Sequence, residues 1–341
     1  MKKYCGVKSM KTAVVGSGSW GTALALCLLN NGHNVTLWSH NPQKAEEISK
    51  SRINPSLKDV LLPDTLEVTA NPSCVSGCDM VVIASPSFAI RSICNSIKTF
   101  LRPDTVVVSV TKGIENNTLM RMSEIIKEET GIDAVVLTGP SHAEEVSRGI
   151  PTACVAACED KNKAELVQDA FMSDTFRVYT TPDVVGAELG GAIKNVIALC
   201  AGVIDGVGCG DNTKAMLITR GLTEMARLGV SMGASKETFA GLAGVGDLTV
   251  TCTSRHSRNC RAGVLIGQGM PISKVISESH GVVEGYYATK SVYSLAKRNS
   301  VDMPIVNAAY SVLYDGVSAD SVIELLMKRT RKAESEDVGW N

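Results

Sequence analysis

"VVGSGSWGTALA", residues 14–25, decides how the first half of this chain folds. Gly16, Gly18 and Gly21 stand in the spacing GxGxxG. The apolar run "TAVVG" leads into them, an apolar helix-compatible stretch through Leu29 leaves them, and a second strand-like run, "NVTLW", follows. That context gives an otherwise weak pattern its meaning. The first glycine permits a tight turn, the second lets backbone approach a pyrophosphate, and the third lets helix and strand pack closely. The N–H groups at the start of the helix then face an anion with no partner of their own.

Outward from this turn the pattern repeats. "MVVIASP" (80–86), "TVVVSVTKG" (105–113) and "AVVLTGP" (134–140) are unbroken Val/Ile/Leu runs, and helical segments such as "TLMRMSEIIKEE" (118–129) lie between several of the strands. Such strands belong to a parallel sheet covered on both faces. The reading predicts a Rossmann-type, doubly wound, mostly parallel α/β domain over residues 1–181. After Thr181-Pro182 the β runs cease. "GAELGGAIKNVIALCAGVIDG", "NTKAMLITRGLTEMARLG", "SKVISE" and "YYATKSVYSLAKRN" read as helices, so residues 182–341 are expected to form an all-helical domain. The charged ending "KRTRKAESEDVGWN" lacks an apolar stripe and is expected to fray.

Composition sets bounds. The 341 residues leave room for two domains, and a 44% hydrophobic content is ample for their cores. A net charge of −1 provides no general field for nucleic acid or an anionic membrane. The start "MKKYCGVKSMK" has no apolar h-region, so the eleven cysteines read as reduced thiols of a cytoplasmic protein. Cys74/Cys78 and Cys154/Cys158 are four apart, yet none of the five histidines pairs with them as a metal motif, and no metal is expected. By sequence, no apolar run is expected to approach the roughly 18 to 20 residues of a membrane span.

The end of the second strand, "LWSHNP", carries Ser39, His40 and Asn41 where an NAD-preferring site usually has an acid for the ribose 2′-hydroxyl. Nothing there repels a 2′-phosphate, so NADPH is favoured over NADH. Lys44 and Arg52 are the cations in reach.

In the second half one residue stands out. Within "GGAIKNVIA" (190–198), Lys194 has Gly190, Gly191, Ile197 and Ala198 at helical spacing and no acid on that face. Asn195 shares Gly191 and Ala198 with it, leaving a strip with little side-chain bulk, suited to close approach of a ligand. A lysine in such surroundings has a lowered pKa, useful for proton exchange near neutrality. Lys112, in "SVTKGIE", lies just past a parallel strand, at the edge where open α/β sheets bind ligands. "LTGPSHAEEV" places Gly139, Pro140 and Ser141 likewise. "GLAGVGDLTVTCTSRHSRN" brings Asp247 and then Ser257, Arg258 and Asn259, a set of donors suited to clamping a phosphate.

Together "GSGSWGTALA", "SVTKGIE", "TGPSHAEE", "ELGGAIKNVIA", "GDNTKAMLITRGLTEM", "GVGDLTVTCTSRHSRN" and "VVEGYYATK" occur in the order and spacing of the NAD(P)-dependent glycerol-3-phosphate dehydrogenases, the bacterial form in particular. The chain resembles that family from about Thr12 to about Leu326. The resemblance implies that Lys194 is the proton donor and acceptor, that Lys112 is a second active-site lysine touching substrate and cofactor, and that Asp247 holds lysine or substrate in place. It implies substrate contacts from Gly139, Ser141, Asn195, Ser257, Arg258 and Asn259. It implies a dinucleotide site lined by Gly16, Gly18, Ser19, Trp20, Gly21, His40, Ala143 and Arg258, with Val282 and Glu284 closing over it. Dihydroxyacetone phosphate and sn-glycerol 3-phosphate become the expected substrate pair, phospholipid precursor synthesis the expected purpose, and a homodimer the expected assembly. Two departures stand out: His142 occupies a position where phenylalanine is also common, and the "TSRHSRN" loop carries Arg255 and His256. Two other readings compete. A 3-hydroxyacid or 6-phosphogluconate dehydrogenase would accept a carboxylate substrate, and a non-enzymatic NAD(P) sensor would need no Lys194.

Overall fold

In the computed structural model, residues 9–279, 281–331, 333 and 334 are described. Among the described residues ten strands form: β1 (Lys11–Val15), β2 (Asn34–Trp38), β3 (Ile53–Asn54), β4 (Leu57–Leu61), β5 (Glu67–Thr69), β6 (Met80–Ile83), β7 (Val106–Ser109), β8 (Val135–Thr138), β9 (Thr152–Ala157) and β10 (Phe176–Thr181). Eight of them make one sheet in the order β10-β9-β8-β7-β6-β1-β2-β5, while β3 and β4 pair apart from it. Every pair in the large sheet is parallel except β8 with β9. Alternate side chains feed two cores on opposite faces: Val14, Met80, Val82 and Val108 to one, Ala13, Val15, Val81, Ile83 and Val107 to the other. Burial on both faces is why the strands read as continuous apolar runs.

The helices of this half are α1 (Ser19–Asn30), α2 (Pro42–Ser51), α3 (Ile90–Ile97), α4 (Met122–Thr130), α5 (Ala143–Val146) and α6 (Lys161–Phe171). α4 starts later than the expected segment from Thr118. The chain first turns back, with Leu119 at φ +63° and Ile114 bridging Arg121, and the Arg121 N–H then donates to Glu124 Oε2 at 2.7 Å. β1 is flanked by β2 on one side and β6 on the other, so the chain order reverses there and a crevice opens at the carboxyl ends of β1 and β6.

After Thr181 the chain is helical: α7 (Val184–Val207), α8 (Asp211–Ser231), α9 (Lys236–Ala240), α10 (Asp247–Thr253), α11 (Arg258–Gly267), α12 (Ile272–Ser277), α13 (Glu284–Arg298), α14 (Pro304–Tyr314) and α15 (Ala319–Met327), with a π-helical turn over Leu242–Gly246 ahead of α10. α7 is the axis on which α8, α10, α11 and α13 pack. Its contact with α11 is backbone to backbone: a Cβ on Gly202 would lie 2.0 Å from the Cys260 carbonyl oxygen. α7 also corrects the reading on membrane spans. Its 24 residues are long and apolar enough to cross a bilayer by length and composition, but 94% of that window is buried within the protein, as in a core helix. Single Glu and Lys residues broke the run to the eye without making the helix polar.

Of the expected frayed ending, Arg329 donates to Asp302 Oδ2 at 3.0 Å and Arg220 to the Glu334 backbone oxygen at 3.3 Å. Residues 332 and 335–341 lie outside the described residues.

Candidate active site

Three elements deliver the central cluster. Lys194 projects from the middle of α7, Asp247 opens α10, and Lys112 lies three residues beyond β7. Asp247 is 1% exposed. One of its oxygens accepts from Lys194 Nζ; the other accepts from Lys112 Nζ at 2.7 Å. Lys194 Nζ also donates to Thr251 Oγ1 at 2.8 Å, and that hydroxyl donates to the Asp247 backbone oxygen at 2.6 Å. Lys112 Nζ donates in addition to the Gly139 carbonyl at 3.1 Å. Two ammonium groups from different parts of the chain thus share one buried carboxylate.

The close approach has a local cause. A Cβ on Gly190 would lie 2.2 Å from the Ala243 carbonyl oxygen, so only glycine lets the π-helical turn bring Asp247 onto α7. On the neighbouring Gly191 a Cβ would lie 3.3 Å from Lys112 Cγ and 3.2 Å from Thr138 Oγ1. The small-residue strip that the sequence suggested for a ligand is therefore filled by protein: the stem of Lys112, the end of β8 and the 242–246 backbone. The acid missing from the helix face arrives from α10.

The charges follow from this packing. Burial drives the Lys194 pKa down; Asp247 pulls it back up, Lys112 adds to the lowering, and the result is about 8. For Asp247, burial opposes ionisation, but the two ammonium groups outweigh it and hold the carboxyl below its ordinary value. At neutral pH the cluster carries an ionised acid and a lysine close to its titration point.

The glycine turn follows β1, on the same carboxyl edge of the sheet as Lys112. Gly16 has φ +127°, and a Cβ there would lie 2.1 Å from the Ala84 carbonyl oxygen; on Gly21 it would lie 2.0 Å from the Gly16 oxygen. On Gly18 it would meet nothing within 4 Å, so the second glycine alone faces open space. Ser19 and Trp20 are half-buried beside it, and His40 is exposed. Buried polar atoms without hydrogen-bond partners include Ser85 Oγ, Thr138 Oγ1 and His142 Nε2, all beyond or at the carboxyl ends of β6 and β8. An open glycine cradle and orphaned polar atoms along one sheet edge fit a dinucleotide laid across it with a polar substrate beside it.

The remaining sequence candidates divide. Asn195 Oδ1 accepts from Asn259 Nδ2 at 2.9 Å, and Asn259 Oδ1 accepts from the Gly285 N–H at 2.8 Å, so these amides tie α7, α11 and α13 together. Ser257 caps α11 by accepting from the Cys260 N–H, which leaves its O–H to donate. Arg258 is exposed and lies against Gly281, where φ is +98°. Ser141 Oγ donates to the Gly139 carbonyl at 3.0 Å; Ala143 is buried at the start of α5, and Val282 is half-buried. Glu284 accepts from Ser87 N–H and Oγ at 3.3 and 2.8 Å, linking α13 to the segment after β6.

Several residues escaped the sequence reading. Thr251 was accessible in principle as the residue one turn after Asp247. His142 and His256, each singled out by sequence, were not read as a pair; their ring centroids lie 5.8 Å apart. Glu188 on α7 is buried and accepts from Arg121 Nη1 at 2.7 Å and Ser123 N at 2.8 Å. The buried Glu224, its pKa pushed up to about 7 by burial, caps α14 through the Ile305 N–H at 2.7 Å. Among the described residues ten cysteines are free thiols, and Cys154 is held at about 12 by burial, far from thiolate chemistry.

A doubly wound sheet that carries a glycine turn and Lys112 at its carboxyl edge, with Lys194 and the buried Asp247 brought onto that lysine from the helical half, defines a dinucleotide-dependent oxidoreductase. Residues 11–164 match the family described as NAD-dependent glycerol-3-phosphate dehydrogenase N-terminus, and residues 183–324 match its C-terminus counterpart. The chain belongs to the NAD-dependent glycerol-3-phosphate dehydrogenase family. It is 50% identical over 326 residues to a glycerol-3-phosphate dehydrogenase [NAD(P)+] of Thermoanaerobacter sp. (strain X514), covering 95% of this chain and 99% of the relative. It is 48% identical to the enzyme of that name from Fusobacterium nucleatum, covering 95% and 98%. The crystal structure of glycerol-3-phosphate dehydrogenase from Coxiella burnetii superposes with a TM-score of 0.91 at 34% identity, covering 94% of this chain and 99% of that one.

Proposed function

We propose that this protein catalyses reversible hydride transfer between NADPH or NADH and C2 of dihydroxyacetone phosphate, forming sn-glycerol 3-phosphate, with Lys194 as proton donor and acceptor. The observation that carries the assignment of roles is the pair of ammonium groups on one buried carboxylate. The reduced nicotinamide, when bound, supplies the hydride. As negative charge grows on the substrate's carbonyl oxygen, Lys194 gives it a proton and the Lys112 ammonium stabilises what remains. An ammonium has three N–H donors; Lys194 spends one on Asp247 and one on Thr251, leaving one for substrate. Asp247 keeps both nitrogens in place and balances their charge. Arg258, with Ser257, Asn195 and Asn259 behind it and Gly139 and Ser141 across the cleft, orients the phosphate end. Gly16, Gly18, Ser19, Trp20, Gly21, His40, Lys112, Ala143, Arg258, Val282 and Glu284 serve the dinucleotide. We assign the nucleotide unit to 1–181 and the catalytic helical unit to 182–341.

The test is the initial loss of reduced-nicotinamide absorbance with dihydroxyacetone phosphate, using NADPH and NADH in turn, beside a phosphate-free hydroxyacid with the oxidised cofactors. Oxidation only with the triose phosphate supports the proposal; activity on the hydroxyacid alone overturns it. Arg258→Ala is expected to raise the KM for dihydroxyacetone phosphate by about 10-fold or more with a smaller change in kcat, since it removes binding made before the reaction. An unchanged KM would place phosphate recognition elsewhere.

A pH profile follows from Lys194. Oxidation of glycerol 3-phosphate needs the neutral amine, so kcat/KM rises through about pH 8 and levels off; reduction needs the ammonium, so it falls above about pH 8. Opposite slopes in the two directions support Lys194 as the exchanging group, and flat profiles between pH 7 and 9 contradict it.

The same reading makes the protein a cytoplasmic source of glycerol phosphate for phospholipid synthesis, working as a homodimer on small molecules and not on nucleic acid. Leu325 and Met327, 69% and 64% exposed on α15, support a partner surface, and light scattering reads the assembly directly.

A further inference from the structure

We infer that Lys44 recognises the 2′-phosphate of NADPH and makes this chain select the phosphorylated dinucleotide, an inference that rests on the reading of the glycine turn as the coenzyme site. Of the polar residues at the end of β2, His40 is exposed, while Ser39 and Asn41 are committed elsewhere. Ser39 is fully buried, and its hydroxyl oxygen accepts from Ser17 Oγ at 2.9 Å, inside the turn. Asn41 caps α2 by accepting from the Lys44 N–H at 3.1 Å. Arg52, the other cation in reach by sequence, is turned away: its guanidinium donates to the carbonyls of Leu62, Pro63 and Leu66.

Lys44 behaves differently. Its stem crosses from α2 to the glycine turn, where Nζ donates to the Ser17 carbonyl at 2.8 Å and to Ser56 Oγ at 3.1 Å. Those are neutral acceptors, and they use two of the ammonium's three donors. Among the described residues no carboxylate forms an ion pair with it; Glu47, on the same helix, is the acid whose field it feels. Nor does the turn depend on it. The Ser17 carbonyl already accepts from the buried Asn54 Nδ2 at 3.1 Å, and Asn54 also donates to Thr22 Oγ1 at 2.6 Å. A half-buried cation without an ion pair is thus held beside the pyrophosphate turn, on the β2 side where the adenosine ribose of such a fold lies. A ribose hydroxyl would leave that charge unanswered, whereas a phosphate dianion accepts the third donor as a charge-assisted hydrogen bond.

The experiment measures dissociation constants of NADPH and NADH by calorimetry on the full chain, in wild type, Lys44→Met and Lys44→Arg. The wild type should bind NADPH more tightly. Lys44→Met should weaken NADPH by about 10- to 100-fold, the loss of one charge-assisted hydrogen bond, while NADH stays within about twofold; Lys44→Arg should recover most of the NADPH affinity. Equal weakening of both coenzymes would overturn the inference and make Lys44 a buttress of the turn. NADPH binding untouched by Lys44→Met would overturn it in favour of another cation. Coenzyme-dependent turnover of dihydroxyacetone phosphate by the wild type is scored separately: if it persists in either case, only the role of Lys44 fails. If neither coenzyme binds the wild type, the inference and the reading beneath it fall together.

Discussion

Lys194→Met is expected to lower kcat by about 10² to 10⁴-fold while the coenzyme dissociation constant stays within about twofold. Methionine fills most of the space of the lysine stem, so the packing of α7 against α10 and α11 survives while the exchangeable proton is lost. Lys112 cannot substitute, because its ammonium is anchored on the other oxygen of Asp247 and on the Gly139 carbonyl. The loss should appear in both reaction directions, since the group that gives the proton in one takes it in the other. Steady-state rates, with a melting curve to establish that the variant folds, decide the matter. A variant that turns over near the wild-type rate would remove Lys194 from the chemistry.

Asp247→Asn is expected to cost both stability and turnover. An amide of nearly the same shape keeps the volume but removes the charge that two ammonium groups share, and leaving a buried charge without its partner costs about 3 to 5 kcal/mol. Lys194 also loses the attraction that holds its pKa up, so in the oxidising direction the inflection should move below about pH 8. The sign for the wild type is the reverse of a buried neutral acid. Because the folded-state pKa of Asp247 lies below its ordinary value of 3.8, its contribution to stability is present above that value and is lost as pH falls through the depressed one. Chemical denaturation at neutral pH reads the first effect and the pH profile reads the second. An unchanged denaturation midpoint would mean that the two lysines do not depend on Asp247.

The sheet was legible because its determinants are local. Val14-Val15, Val81-Val82-Ile83 and Val135-Val136-Leu137 are buried on both faces, and such burial leaves a continuous apolar run in any sequence that achieves it. β9 and β10 carry weaker runs, with Arg177, Tyr179 and Thr180 exposed on β10, and the antiparallel turn of β9 against β8 has no local signature. Among helices, "MSEIIKEE" announced α4, but its start at Met122 depends on Leu119 adopting a positive φ and on Arg121 reaching Glu188, 67 residues away.

For the site, the sequence by itself determined the parts: a glycine turn between strand and helix, a lysine without a local counter-ion in a helix too apolar to want one, and a second lysine at a sheet edge. Their types and nearest neighbours are local facts, and local physics reads them. The tertiary structure alone decided the assembly. It brought Asp247, 53 residues away in sequence, onto Lys194 through the bare face of Gly190, and it filled the small-residue strip with the stem of Lys112 instead of leaving it open. It also committed Arg52 to the carbonyl of Leu66 and brought Lys44 onto the Ser17 carbonyl of the glycine turn. Contacts of that kind depend on where whole elements pack, and a pKa of about 8 for Lys194 is a property of the burial and charges those contacts create.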